Sequence, residues 1–410
     1  MARGTIGEGI RRLEELRDLI EAGTGEDGGP HPRETGAPVR GLASLYASLA
    51  QLYSRGALYT EHLSAVERTV TLARAAGDDK LLAAAELNRA LALLVLGRGA
   101  EGTTALERAS RLAEETDNLP ALAATLTSVA TICLMTAGAT VSLEYAERAR
   151  GVAERVGDVP QLTLIHYLCG EALRYRGAWN EARAAFTIGR DLAAQTDAPW
   201  RACHGLLGLG VLALACDGPD AARFYLEEGL RLARQGGAAA LGPFLEVTLA
   251  ECDLWAGRHD EAYARLRPLG DALDQPSAAS YALTRLAWAC LETGRTGEAA
   301  AAAAGSIARA RAEHTPVTLA NGLLIQARID TRLHRWAEAE RALAEALDIA
   351  RAFPDALGET HILEAQGTLH ERRGERAWAR ARLEEARARA QQLGAGYEAA
   401  RLERACATLS

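Results

Sequence analysis

The chain repeats itself every forty residues, and no other property narrows its possible folds so far. Steps of forty from Gly170 meet Ala50, Ala90 and Ala130 on one side and Gly210 and Ala250 on the other. After one deletion of three residues the column continues through Ala287, Ala327 and Gly367. Every position in it is Gly or Ala. A self-similar period of this length marks a repeat array, in which each unit buries its apolar face only by stacking on its neighbours.

Further columns follow each turn. The stretches "RGAWNEARAAF" (Arg176–Phe186) and "LHRWAEAERAL" (Leu333–Leu343) are near copies. Each opens a ladder of small, large and small residues at spacings of four and three: Ala182, Phe186, Gly189 in one, and Ala339, Leu343, Ala346 in the other. Those spacings define one face of an α-helix. The small residues let two helix backbones approach, and the large one fills the space beside them. Gly177, Gly257, Gly294 and Gly374 suit the left-handed residue that ends a helix. Junctions such as "AAGDD", "VGDVP" and "EHTP" supply caps and first-turn prolines. Each repeat therefore reads as helix A, a tight turn, helix B and a short junction. Aromatics make up only 5% of the chain, while apolar residues, mostly Ala and Leu, make up 49%. That balance suits closely packed helices and not a β core.

The expected fold is all-α, a right-handed α-α superhelix of about nine helix pairs. Residues 1–22 read as an orphan helix B, because "GTIGEGIRRLEEL" carries the B ladder with no helix A before it. Such a half repeat leaves an apolar face uncovered unless it is itself the cap, or the chain was cut from a larger protein. Residues 23–36 read as a polar Gly/Pro linker, 37–394 as the solenoid and 395–410 as a C-terminal capping helix.

This pattern resembles the tetratricopeptide repeat (TPR). Gly170, Gly177, Trp179, Ala182, Phe186 and Gly189 carry the closest match, and Ala327, Trp336, Ala339, Leu343 and Ala346 the next. The period departs from the family's usual ~34 residues. The longer repeat is similar to the C-terminal helical region of bacterial LuxR-type, maltose-activator-like signal-transduction ATPases. That resemblance implies a concave surface lined by A helices, which binds an inducer or an inhibitory protein.

Composition excludes several other roles. A net charge of −8 does not supply the clustered basic field of a nucleic-acid surface. Lys80 is the only lysine and lies in no phosphate-binding loop. The nine His are scattered, with no pair at i and i+4 for a metal, and no nucleophile motif is present. No enzyme, cofactor or metal is expected. The seven Cys are spaced without CxxC pairs, as small buried residues in a reducing compartment. The N-terminus has no apolar signal core, and the longest apolar run, Leu206–Cys216, is too short to span a bilayer. The expected location is the cytoplasm.

Candidate binding residues follow from the A-helix register. Positions one past the small column, with their neighbours at i±4 and i+3, should face the concave side. In the early repeats these are bland. In the middle repeats they become Tyr167, Glu171, Arg174, Tyr175, His204, Phe244, Glu251, Trp255, Tyr281, Trp288 and Arg328. Aromatics and arginine are the types that carry binding energy at recognition sites. The competing reading is that Trp255 and Trp288 pack between adjacent A helices. Trp179 and Trp336 occupy packing positions of the repeat. The expected function is a non-catalytic interaction module in bacterial signalling or transcriptional regulation, such as the C-terminal sensor arm of a larger ATP-dependent regulator. The alternative is a free-standing adaptor or peptide receptor. The partner would be a protein, a peptide or a small inducer.

Overall fold

The computed structural model describes residues 2–23, 36–55, 58–96, 98–196, 199–236, 241–272 and 276–409. They form twenty α-helices and one 3₁₀ turn, with no strand among them. The expected linker at 23–36 falls almost wholly on residues 24–35, which lie outside those described. Contacts cluster the chain into two compact units. The first comprises Met1–Ile132 with Arg148–Asp158, and the second Cys133–Glu147 with Val159–Ser410.

The first unit begins with α1 (Ala2–Gly23), α2 (Gly36–Arg55) and α3 (Tyr59–Ala75), followed by α4 (Asp79–Val95), α5 (Gly99–Glu115) and α6 (Leu119–Thr136). Its core gathers Tyr46, Leu49, Tyr53, Val66 and Val70, with Ile10 and Leu13 of α1 packed against them. The half repeat α1 is held by hydrogen bonds from Tyr46 Oη to Glu21 (2.7 Å) and from Tyr53 Oη to Glu14 (2.5 Å). Beside that contact Leu16, Leu19 and Ile20 remain exposed, a short apolar stripe at helical spacing.

The end of α6, from Cys133, belongs to the second unit, and α7 (Ala139–Val156) is divided between the two. The second unit continues with α8 (Val159–Tyr175), α9 (Trp179–Ala194), α10 (Ala202–Cys216) and α11 (Pro219–Gly236). Next come α12 (Gly242–Trp255), α13 (His259–Ala272), α14 (Pro276–Glu292) and α15 (Thr296–Ala312). The series ends with α16 (Pro316–Arg332), α17 (Trp336–Ala352), α18 (Ala356–Arg372), α19 (Arg376–Leu393) and α20 (Gly396–Thr408). Even-numbered helices carry the small column and are the A helices.

The forty-residue columns pair up physically. A Cβ at Gly210 would lie 2.6 Å from Leu226, one at Gly367 2.8 Å from Leu383, and one at Gly170 would overlap the Phe186 ring. In each case the large residue lies sixteen positions after the small one, on the following B helix. The turn glycines Gly177, Gly257, Gly294 and Gly374 all have φ between 77° and 82°. One repeat puts His334 there instead, at φ 59°, with its ring edge-on to Trp336 at 4.9 Å. Asp78 and Asp355 cap α4 and α18 by accepting the backbone N–H of Leu81 (3.0 Å) and Gly358 (3.1 Å).

Within the second unit, the backbones of successive A helices from α8 to α18 lie close together, whereas B helices such as α13, α15 and α17 meet through long side chains, Tyr263 reaching Glu298 at 3.0 Å and Arg311 reaching Glu345 at 2.9 Å. The A helices therefore form the inner layer. This layer closes on itself, since α18 meets α8 and α20 meets α10. Tyr397 of α20 packs on Gly218 and donates from its Oη to the Trp255 carbonyl at 3.5 Å, while Leu402 is fully buried. Enclosed by α8, α9, α11, α12 and α20, α10 is apolar nearly all round. That enclosure accounts for the apolar run Leu206–Cys216. No described helix is long and apolar enough to cross a membrane.

Candidate functional site

The inner positions chosen from the register fall into three groups in the second unit. Tyr167, His204 and Phe244 serve packing. The Tyr167 ring lies 6.0 Å from Phe186 and 5.3 Å from His204, between α8, α9 and α10. Burial pushes the His204 imidazole down to about 4, and its Nδ1 finds no partner among the described residues. Phe244 lies against the core formed by Leu226, Leu245 and Leu249. Trp179 is buried as expected, with its indole N–H bonded to the Arg174 carbonyl at 3.0 Å. Trp336 is half-buried against the α16–α17 core.

The second group is a set of ion pairs stacked on tyrosines. On α8, Arg174 grips Glu171 through two nitrogens (2.8 and 3.2 Å) and lies over the Tyr175 ring at 4.1 Å. Between α12 and α14, Glu251 accepts from Tyr281 Oη (2.8 Å) and pairs with Arg285 (2.9 Å), whose guanidinium sits 4.5 Å from the Tyr281 ring centre. Burial and the Glu251 carboxylate raise the Tyr281 hydroxyl well above its ordinary value, against the opposing pull of Arg285. In both clusters a buried charge is paired within the cluster, although Arg285 Nε finds no partner among the described residues.

Trp255, Trp288 and Arg328 make the third group and line a cavity of about 240 Å³ with Glu292, Arg332 and Glu364. The two indoles meet edge to face at 4.9 Å. Trp288 also belongs to the α12–α16 core, so packing and cavity lining coincide in one side chain. The cation of Arg328 lies 5.4 Å from the Trp288 ring, and that of Arg401 from α20 lies 4.6 Å from Trp255. Arg401 binds both oxygens of Glu364 and reaches Glu398 at 2.7 Å. Burial works to raise the Glu398 carboxyl, but His361 at 3.4 Å and Arg401 override it and hold the group at about 2. For Arg328 burial dominates and pushes the guanidinium below its ordinary value, because Arg401 opposes the help given by Glu364.

Arg285, Glu364 and Arg401 complete these clusters but lie outside the set chosen from sequence. Glu364 was reachable by the same rule. One past Gly367 is Thr368, and its i−4 and i+4 neighbours are Glu364 and Arg372, all three on the cavity wall. Among the described residues no group of three or more His, Cys, Asp or Glu side chains could hold a metal ion.

No protein-family model matches the chain, and no curated protein matches it in sequence. Solved structures match it in fold. A Rap protein complexed with competence and sporulation factor superposes with a TM-score of 0.52 at 12% identity, over 80% of this chain and 97% of that one. The Rap conjugation gene regulator of plasmid pLS20, in complex with the Phr* peptide, gives 0.51 at 14% identity over 95% and 96%. The APC/C hetero-tetramer Cut9–Hcn1 gives 0.52 at 14% identity over 98% and 75%. The chain has the fold of a TPR-like helical-repeat solenoid. At such identities the likeness is one of architecture, and activity must be argued from the site.

Proposed function

We propose that the chain is a non-catalytic interaction module of bacterial signalling or transcriptional regulation, which recognises a peptide or protein segment on the inner face of its second unit. The observation that carries this reading is the set of arginine–aromatic pairs on the A helices α8, α14 and α16: Arg174 on Tyr175, Arg285 on Tyr281 and Arg328 on Trp288, the last beside an open cavity. Such pairs are the side chains that dominate recognition energetics. One neighbour of the same fold was solved with the Phr* peptide bound and another with competence and sporulation factor, which supports a peptide-class ligand here.

The test is a selection of binding peptides from a random library on the full chain, followed by the Trp288→Ala, Arg328→Ala double variant. Selected peptides should lose affinity by roughly thirtyfold or more, as expected when a hot spot worth ~2 kcal/mol is removed. Circular dichroism should confirm that the variant remains folded. Peptides that bind a folded double variant as tightly as the original chain would place recognition elsewhere.

A further inference from the structure

The cavity at Trp255, Trp288 and Arg328 carries a more specific ligand chemistry, one that rests on reading the inner face as a ligand site. Its volume of about 240 Å³ is small. Pockets that enclose drug-sized ligands run to ~300–1,000 Å³, so this one suits a body of about one side chain. Two indole edges, Leu291 and Ala365 form apolar walls.

Arg328 supplies the polar end. It makes no hydrogen bond to any described residue, although its side chain is only 21% exposed. The carboxylate nearest to it, Glu364, is 3.9 Å away, and both oxygens of Glu364 accept from Arg401 instead. A guanidinium is a planar fork of five donors, and leaving it half-buried without acceptors is costly. The cavity is lined by three arginines, Arg328, Arg332 and Arg372, and by two carboxylates, Glu292 and Glu364. Arg332 is spent on the Leu291 carbonyl (2.7 Å) and on Glu292 (3.1 Å). The shortfall is one negative charge. A dianion such as phosphate would bring a second charge against Glu364, whereas a carboxylate matches both the charge and the fork.

We infer that this cavity binds a small apolar monocarboxylate, its carboxylate on the Arg328 fork and its aryl or branched alkyl body against Trp255 and Trp288. The acid could be free or could be the end of a chain, and the two sources share this chemistry.

The experiment titrates the full chain with phenylacetate, with phenylacetamide and with N-acetyl-Gly-Gly-Phe bearing a free carboxylate, read by calorimetry and by tryptophan fluorescence. Phenylacetate should bind at least about tenfold more tightly than the amide, the scale of a charge-assisted hydrogen bond. Arg328→Met should abolish that preference at an unchanged melting temperature. Arg328→Lys, which keeps the charge and loses the fork, should fall between. Glu364→Gln, which removes the competing anion, should tighten phenylacetate. Tighter binding of the tripeptide than of phenylacetate identifies a chain terminus as the source, and the reverse identifies a free acid; both support the site. Equal binding of acid and amide, acid binding that survives Arg328→Met, or no binding at millimolar acid would overturn the inference. The peptide selection is decided independently, so failure here does not carry that reading with it.

Discussion

At the scale of single residues, glycine decides how closely α8 and α10 approach. Phe186 fills the space over Gly170 on α8 and Gly208 on α10, and a Cβ at either would overlap its ring. Gly170→Ala should therefore destabilise the chain by about 1–3 kcal/mol in urea titration, as overpacking does. Adding Phe186→Leu should recover part of the loss, and strictly additive effects would refute the contact. His204 gives a second prediction. Its folded pKa, pushed down to about 4, lies below the ordinary ~6.5, so the neutral ring is the native form. Its contribution is complete above pH ~6.5 and is lost as pH falls toward 4, on the order of 3 kcal/mol in all. His204→Gln should flatten that limb of the stability profile; an identical limb would assign it to other groups. The sequence register found this histidine but not its role. Position in the column predicts an inward direction, and only the neighbouring helix decides whether inward means core or cavity. Tyr167 meets Phe186 and His204, while Trp288, one past the same column, reaches a cavity.

At the scale of elements, the helix pairs were legible because each repeat solves one packing problem with the same three residue sizes. Gly210 with Leu226 and Gly367 with Leu383 repeat that solution at a fixed offset. The placement of α20 was not legible in this way. Its contacts with α10 and with Trp255 join residues far apart in sequence, and no period encodes them. Arg401 was missed for the same reason, since its partner Glu364 is supplied by another repeat. Helix α20 also does more than cover an end: Leu402 is fully buried in a core shared with Phe186, Leu209, Leu212 and Leu363. Leu402→Ala should cost ~2–5 kcal/mol, as for a large-to-small change in a core. A polar cap facing solvent would lose almost nothing, so a melting temperature unchanged by the substitution would remove α20 from the core.

At the scale of the whole molecule, linear repeat arrays behave as one-dimensional chains, with stability summed over units and nearest neighbours. Such an array frays from its ends, and amide protection grades inward. The contacts of α18 with α8 and of α20 with α10 change the boundary condition of the second unit from open to periodic. A periodic row has no terminal unit to fray, and opening it breaks the α10–α20 seam in the same event that exposes both helices. Amides of α10 and α20 should then exchange through one common opening with matched free energies. Protection that climbs steadily from α20 toward α10 would show that the row is open. The same closure turns ligand binding beside the seam into a question of ring tension: an anion seated on Arg328 touches a hoop and not a spring, and what it alters is whether the hoop stays shut.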